Sequence, residues 1–183
     1  MQKERTVTYQ KKRSIRIMEG TEIDLIQMLD CRERRGFIQN ELLDKFHCPV
    51  ISFCMNIPGP IKTNPQIRAA FLEGRGALTA ALDKASITVL QSYDIAEPTG
   101  DEWIAAVDAD AAAVKELTME IENRHPFGRL FDIDVIGVDG VKLSRPRYRK
   151  CLICGKQAQE CARMRAHSVS QMQEAVMKML AKQ

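Results

Sequence analysis

No run of apolar residues in this 183-residue sequence approaches the roughly 18 that a membrane-spanning helix needs, so no membrane partner is expected. A signal peptide is missing too, because the early basic residues Lys3, Arg5, Lys11, Lys12, Arg13 and Arg16 are never followed by an apolar h-region. The expectation is a cytoplasmic protein whose six cysteines are reduced thiols or metal ligands rather than disulfides. Internal repeats and low-complexity linkers are absent. With 45% hydrophobic and 28% charged residues, the composition excludes wholesale disorder, collagen-like repeats and a long coiled coil.

What is present is a segregated charge. From Val141 to His167 eight basic residues face a single acid, Glu160, a local charge of +7 that leaves −4 for the rest of a chain whose total is +3. A segment of that kind suits a polyanion, whether nucleic acid, a polyphosphate small molecule or an acidic protein, although a solvated basic tail gives the same count. Nucleic acid fits least well. Aromatics are 5% of the chain, and Tyr148 is the one aromatic within the basic segment, too few for base stacking.

The pattern along the chain predicts an α+β fold. After a basic extension over residues 1–20, Thr21 to Asp24 reads as an N-cap for a long or broken helix, with Arg32 to Gly36 as the point of breakage. Val50 to Met55 is a short apolar strand. Ile57-Pro58-Gly59-Pro60-Ile61-Lys62 forms a rigid loop, and Asn64-Pro65 opens a helix of about twenty residues with Ile67, Phe71, Leu78 and Leu82 inward. Ser86 to Ile95 and Trp103 to Val107 make a hairpin, Ala109 to Arg124 a helix, and Leu130 to Val138 a strand turned back through Val138-Asp139-Gly140 into an added strand at Val141 to Ser144. The order β-α-β-β-α-β matches a ferredoxin-like sheet with helices on one face. Residues 21–150 would form the catalytic domain. Residues 151–183 would add a Cys/His segment and a terminal amphipathic helix packed on the same domain.

Two constellations carry chemistry. Asp132 and Asp134 alternate with Phe131, Ile133 and Val135, so both acids share one strand face. Like charges so placed are costly unless a cation neutralises them or water solvates them; a hard ion such as Mg2+ would use both and leave positions for substrate phosphates. Arg129, Arg145 and Lys62 are candidate phosphate holders, Arg145 read as an exposed side chain, and Gly59 could present backbone to a ligand. His125 is either a general base or a helix cap. The second constellation is Cys151, Cys154, Cys161 and His167, a set suited to structural zinc if the less regular second half converges on the first pair, and otherwise packed thiols.

Pro58-Gly59-Pro60-Ile61-Lys62, Gly128-Arg129-Leu130-Phe131-Asp132-Ile133-Asp134-Val135, Leu143-Ser144-Arg145, Cys151-Leu152-x-Cys154, Cys161-Ala162-Arg163 and His167 together resemble the holo-acyl carrier protein synthases of citrate lyase, from about Pro49 to the C-terminus. The resemblance is loose in the first helix, and Phe127 and Phe131 stand where leucine and tryptophan are expected. It implies a nucleotidyltransferase that moves the phosphoribosyl-dephospho-CoA group from 2'-(5''-triphosphoribosyl)-3'-dephospho-CoA to a serine of the apo acyl carrier subunit, releasing diphosphate. Under it Asp132, Asp134 and Arg129 are catalytic, the two acids holding Mg2+. Gly59, Lys62, Gly128 and Arg145 bind substrate, and the basic segment attracts the acidic carrier. A malonate decarboxylase carrier or a zinc-containing nucleic-acid module are the alternatives.

Overall fold

The computed structural model describes residues 18–181, so most of the expected N-terminal extension lies outside the described residues. Its elements are α1 (Leu25–Phe46), β1 (Val50–Met55), α2 (Pro65–Lys84), β2 (Thr88–Glu97), β3 (Gly100–Asp108), α3 (Ala111–Arg124), β4 (Phe131–Ile136), α4 (Ala158–Arg163) and α5 (Val169–Leu180). The four strands form one antiparallel sheet in the order β2-β3-β1-β4. This is an α+β architecture.

Helices α1, α2 and α5 begin on side-chain caps. Asp24 and Gln27 form a reciprocal capping box at α1, Asn64 accepts from the Ile67 N–H at 2.9 Å above the first-turn Pro65 of α2, and Ser168 and Gln171 repeat the box at α5. The expected break at Arg32 to Gly36 does not occur. Helix α1 runs straight through it because Cys31 and Arg35, one turn apart, are both drawn to the buried Glu102: Arg35 donates to both carboxylate oxygens at 2.8 Å, and Cys31 Sγ lies 2.8 Å from Oε1. A side chain at Gly36 would meet nothing, so that glycine costs only helix propensity.

Alternation along β1 divides the core. Ile51 and Phe53 face α2, α3 and α5, in a cluster with Phe71, Leu78, Trp103, Phe131, Ile133 and Val176. Val50 faces the other way, where Leu42 and Leu43 of α1 cover Ile104, Ala106 and Ile136. Helices therefore lie on both faces, and the expectation of a single helical face holds for α2 and α3 but not for α1. Helix α2 passes so close to the sheet that a Cβ at Gly74 would sit 2.4 Å from the Phe131 ring, and a Cβ at Gly128 would sit 2.3 Å from the Glu122 carbonyl oxygen. The outer strand β2 carries a bulge between Val89 and Gln91.

The added strand is corrected to a single bridge, Ile136 to Lys142, with Leu143 N–H donating to Val135 O at 2.8 Å. Pro146 has no N–H to extend it, and the chain beyond is pulled toward α3. There Glu122, 4% exposed in its side chain, accepts from Ile133 N–H at 3.1 Å and pairs with Arg145 and Arg149 at 3.1 Å each. Lys115 Nζ donates to Ile133 O at 3.3 Å and Arg149 to Phe131 O at 2.6 Å, so side chains from α3 and the basic segment satisfy the outer edge of β4 where a fifth strand would have done so. Burial raises the Glu122 pKa, opposed by Arg149, the Ile133 N–H, Arg145 and Lys115.

Glu122→Gln keeps an acceptor for Ile133 but leaves two half-buried arginines without their counter-charge. Urea unfolding should show a loss of about 3–5 kcal/mol, as for other buried pairs broken from one side. Unchanged stability would mean that the arginines turn to solvent at no cost.

Candidate active site

Pairing in β4 sets Asp132 opposite Cys54 and Asp134 opposite Ser52, so both acids project from the face that α1 covers, near its edge. This is the shared face that strand alternation predicts. Lys142 Nζ lies 2.5 Å from Asp134 Oδ2, while Asp132 has no ion-pair partner among the described residues. Its tip is open to solvent, yet the surrounding protein mass, with Asp134 adding repulsion, raises its pKa against the pull of Arg149, Lys142 and Arg35. Cys54 Sγ is 4.0 Å from Asp132 Oδ2, and burial, opposed by Arg35 and reinforced by the acids, pushes this thiol up to about 12. It is a protonated, unreactive neighbour.

The two acids form one wall of a cleft of about 500 Å³ whose other walls carry Lys142, Arg145, Arg147 and Arg149. Arg145 is not the exposed side chain expected. It is 21% exposed and paired with Glu122, and it also donates to Asn123 Oδ1 at 3.2 Å, but its buried Nε has no hydrogen-bond partner among the described residues. Arg129 lines a neighbouring cavity instead, and its guanidinium donates to the Lys150 carbonyl.

The remaining expected residues lie apart from the cleft. Gly59, with φ of +86°, has its backbone against α5, where a Cβ would meet Gln173 and Val169, so the close approach it permits is to protein. Lys62 donates to Ile57 O at 2.8 Å, and burial together with Arg32 lowers its pKa. Gly128 lets the loop before β4 touch α3. His125 ends α3, accepts from Phe127 N–H through Nδ1 at 3.1 Å and packs at a tilt against the Phe131 ring, on the far side of the sheet from the acids. It is the cap of the two readings.

Sequence reasoning missed Lys115, Glu122, Lys142 and Arg149 as parts of the site. For Lys142 a signal existed, since the hairpin through Asp139 and Gly140 returns the chain beside β4 and sets a lysine near Asp134. For Glu122 and Lys115 there was none, because seven-residue spacing on an alanine-rich helix does not distinguish a buried from a solvated face.

Behind the cleft, Cys151, Cys154, Cys161 and His167 converge, their ligand atoms all within 4.8 Å of one another. Cys154 Sγ is 3.5 Å from Cys161 Sγ and 3.3 Å from His167 Nε2. A tetrahedral zinc shell separates its ligands by about 3.5–3.8 Å, so this donor set fits. Burial works against ionising Cys151, but hydrogen bonds from the Cys154 and Ile153 backbone and from the thiols of Cys154 and Cys161 outweigh it and lower that thiol to about 7. Gly155, with φ of +72°, makes the turn after the first pair.

Comparison with known proteins places the chain in a family. Residues 23–183 match the family model described as apo-citrate lyase phosphoribosyl-dephospho-CoA transferase. A protein of that name from Citrobacter koseri is 37% identical over 152 residues, 81% of this chain and 83% of the relative. One from Vibrio cholerae, named as a probable member, is 37% identical over 153 residues, covering 80% and 85%, and one from Escherichia coli is 34% identical over 152 residues, covering 81% and 83%. With its acid pair, basic cleft and Cys/His cluster in the matched span, the chain belongs to the apo-citrate lyase phosphoribosyl-dephospho-CoA transferase family.

Proposed function

We propose that this protein transfers the phosphoribosyl-dephospho-CoA group from 2'-(5''-triphosphoribosyl)-3'-dephospho-CoA to a serine of the apo acyl carrier subunit of citrate lyase. The observation that carries the reading is the cleft itself: Asp132 and Asp134 on one wall, with Lys142, Arg145, Arg147 and Arg149 around them. The serine oxygen attacks the phosphorus next to the ribose, the bond to the second phosphate breaks, and diphosphate leaves while the hydroxyl proton passes to solvent. Arg145, held against Glu122, adds positive charge to the cleft lining, and Arg149, fixed by Phe131 O, Gly128 O and Glu122, presents a positive wall with little freedom to move. Arg129 and Lys150 extend the same positive surface toward an acidic carrier.

Asp132 and Asp134 would hold Mg2+, for which side-by-side carboxylates, one without an ion-pair partner among the described residues, are a fitting donor set. When bound, the ion would neutralise charge on the departing diphosphate. The β-α-β-β-α-β order and the β2-β3-β1-β4 sheet support a ferredoxin-like core, with residues 151–183 completing the same catalytic domain as 21–150. The names of the relatives favour a citrate lyase carrier over one from malonate decarboxylase. A nucleic-acid-binding role would set two carboxylates against a polyanion.

Asp132→Asn and Asp134→Asn each remove a charge at nearly constant size. Carrier modification followed by intact mass should slow by about 100-fold or more in either variant. Thermal unfolding should be unchanged or slightly raised, because repulsion is relieved and the exposed Lys142 contact is worth under about 1 kcal/mol. Near-normal rates in both folded variants would remove the metal role.

We also propose that Cys151, Cys154, Cys161 and His167 bind a structural zinc, since four protein ligands leave no position open for catalysis. Elemental analysis of reduced, metal-replete protein should find about one zinc per chain, lost in Cys154→Ser. Zinc-free protein of full stability would reject the site and leave the transferase reading intact.

A further inference from the structure

The cleft that holds Asp132 and Asp134 adjoins a second cavity of about 610 Å³, and the two share Asn56, Arg149, Ala158 and Ala162 as common walls. Their linings differ in kind. Around the first, cations dominate. The second has an apolar floor from Leu152, Val169 and Met172, with Arg129, Lys150 and Arg165 among its lining. Two volumes of this size, end to end, exceed what a ribose triphosphate occupies, since drug-sized ligands fill pockets of roughly 300–1,000 Å³.

The donor in the proposed reaction is itself bipartite. A triphosphate-bearing ribose leaves one side of the adenosine, and from the other a diphosphate leads into an uncharged arm of amides and methylenes. An anion followed by an apolar chain is what the second cavity's lining would recognise: arginine and lysine for the diphosphate, and the α5 face with Leu152 for the arm. Arg149 stands between the two volumes, tied to Phe131 O at 2.6 Å, to Gly128 O at 2.9 Å and to Glu122 at 3.1 Å, so the partition is rigid.

We infer that the second cavity binds the diphosphate–pantetheine arm of the donor while the acid-lined cleft binds its triphosphate, with Arg149 as the wall between them. The inference rests on the donor assigned above. It also gives α5 a task in substrate selection: Val169 and Met172 lie three residues apart on its cavity-facing side, and a donor without the arm would leave that apolar surface wet.

Val169→Trp and Met172→Trp each add bulk to the second cavity alone. The probes are dephospho-CoA, which has the arm and no triphosphate, and tripolyphosphate with Mg2+, which has the reverse; both are titrated calorimetrically into the full-length protein. Dephospho-CoA should bind the wild type and weaken at least tenfold in each variant that keeps wild-type circular dichroism, with tripolyphosphate binding unchanged. Using two variants keeps the test open if one fails to fold. No dephospho-CoA binding to the wild type, wild-type affinity in the folded variants, or equal weakening of both probes would each overturn the inference. Carrier modification separates the two readings. If the wild type transfers the group but the variants bind dephospho-CoA normally, only the cavity assignment fails; if the wild type transfers nothing, the proposed reaction fails even where the binding pattern holds.

Discussion

The outer edge of β4 is the constraint on which the site depends. A strand that ends a sheet must find partners for every second N–H and C=O, and here, beside the Leu143 N–H on the Val135 carbonyl, they come from ionic side chains: Glu122 for the Ile133 N–H, Lys115 for its carbonyl and Arg149 for that of Phe131. This arrangement fixes three things at once. It holds β4 in the register that sets Asp132 and Asp134 side by side, it anchors the basic segment to α3, and it orders Arg149 before any ligand arrives. The cost is a buried carboxylate and two arginines partly withdrawn from water, so that each depends on the others for its counter-charge.

Much of this was legible in the sequence where local rules suffice. The capping run Thr21 to Asp24, the Asn64 cap before Pro65, the strand at Val50 to Met55, the inward positions of α2 and the shared face of the acids follow from spacing and residue chemistry, and the structure agrees. What was not legible depends on contacts far apart in sequence. The unbroken α1 is decided by Glu102, 67 residues beyond Arg35. The missing fifth strand is decided by Glu122, and the convergence of Cys161 and His167 on the first cysteine pair by how α4 packs. Charge counting located the basic segment correctly but could not sort its members. Some hold the fold, some line the cleft, and Arg145 and Arg149 do both.

The glycines show the same limit from the other side. Backbone presented to a ligand by a rigid loop is the expectation at Gly59, and substrate binding is what the family resemblance implies for Gly128; both are also places where protein meets protein closely: Gly59 under α5 and Gly128 under α3. Both contacts bear on the site indirectly. Gly59 lets α5 approach near enough to form the floor of the second cavity, and Gly128 lets the chain enter β4 directly beneath Glu122. In each case the small residue determines where a wall stands.

An edge already bonded by side chains is closed to strand addition. A second chain seeking main-chain partners along β4 would have to displace Glu122 and Arg149 from a buried ion pair, whereas a solvated edge gives up only water. At the opposite end, β2 is bulged between Val89 and Gln91, a distortion that spoils the regular ladder an incoming strand requires. The sheet is thus protected at its two ends by different means, and any pairing of copies by sheet extension would have to use the less costly obstacle, the bulged strand.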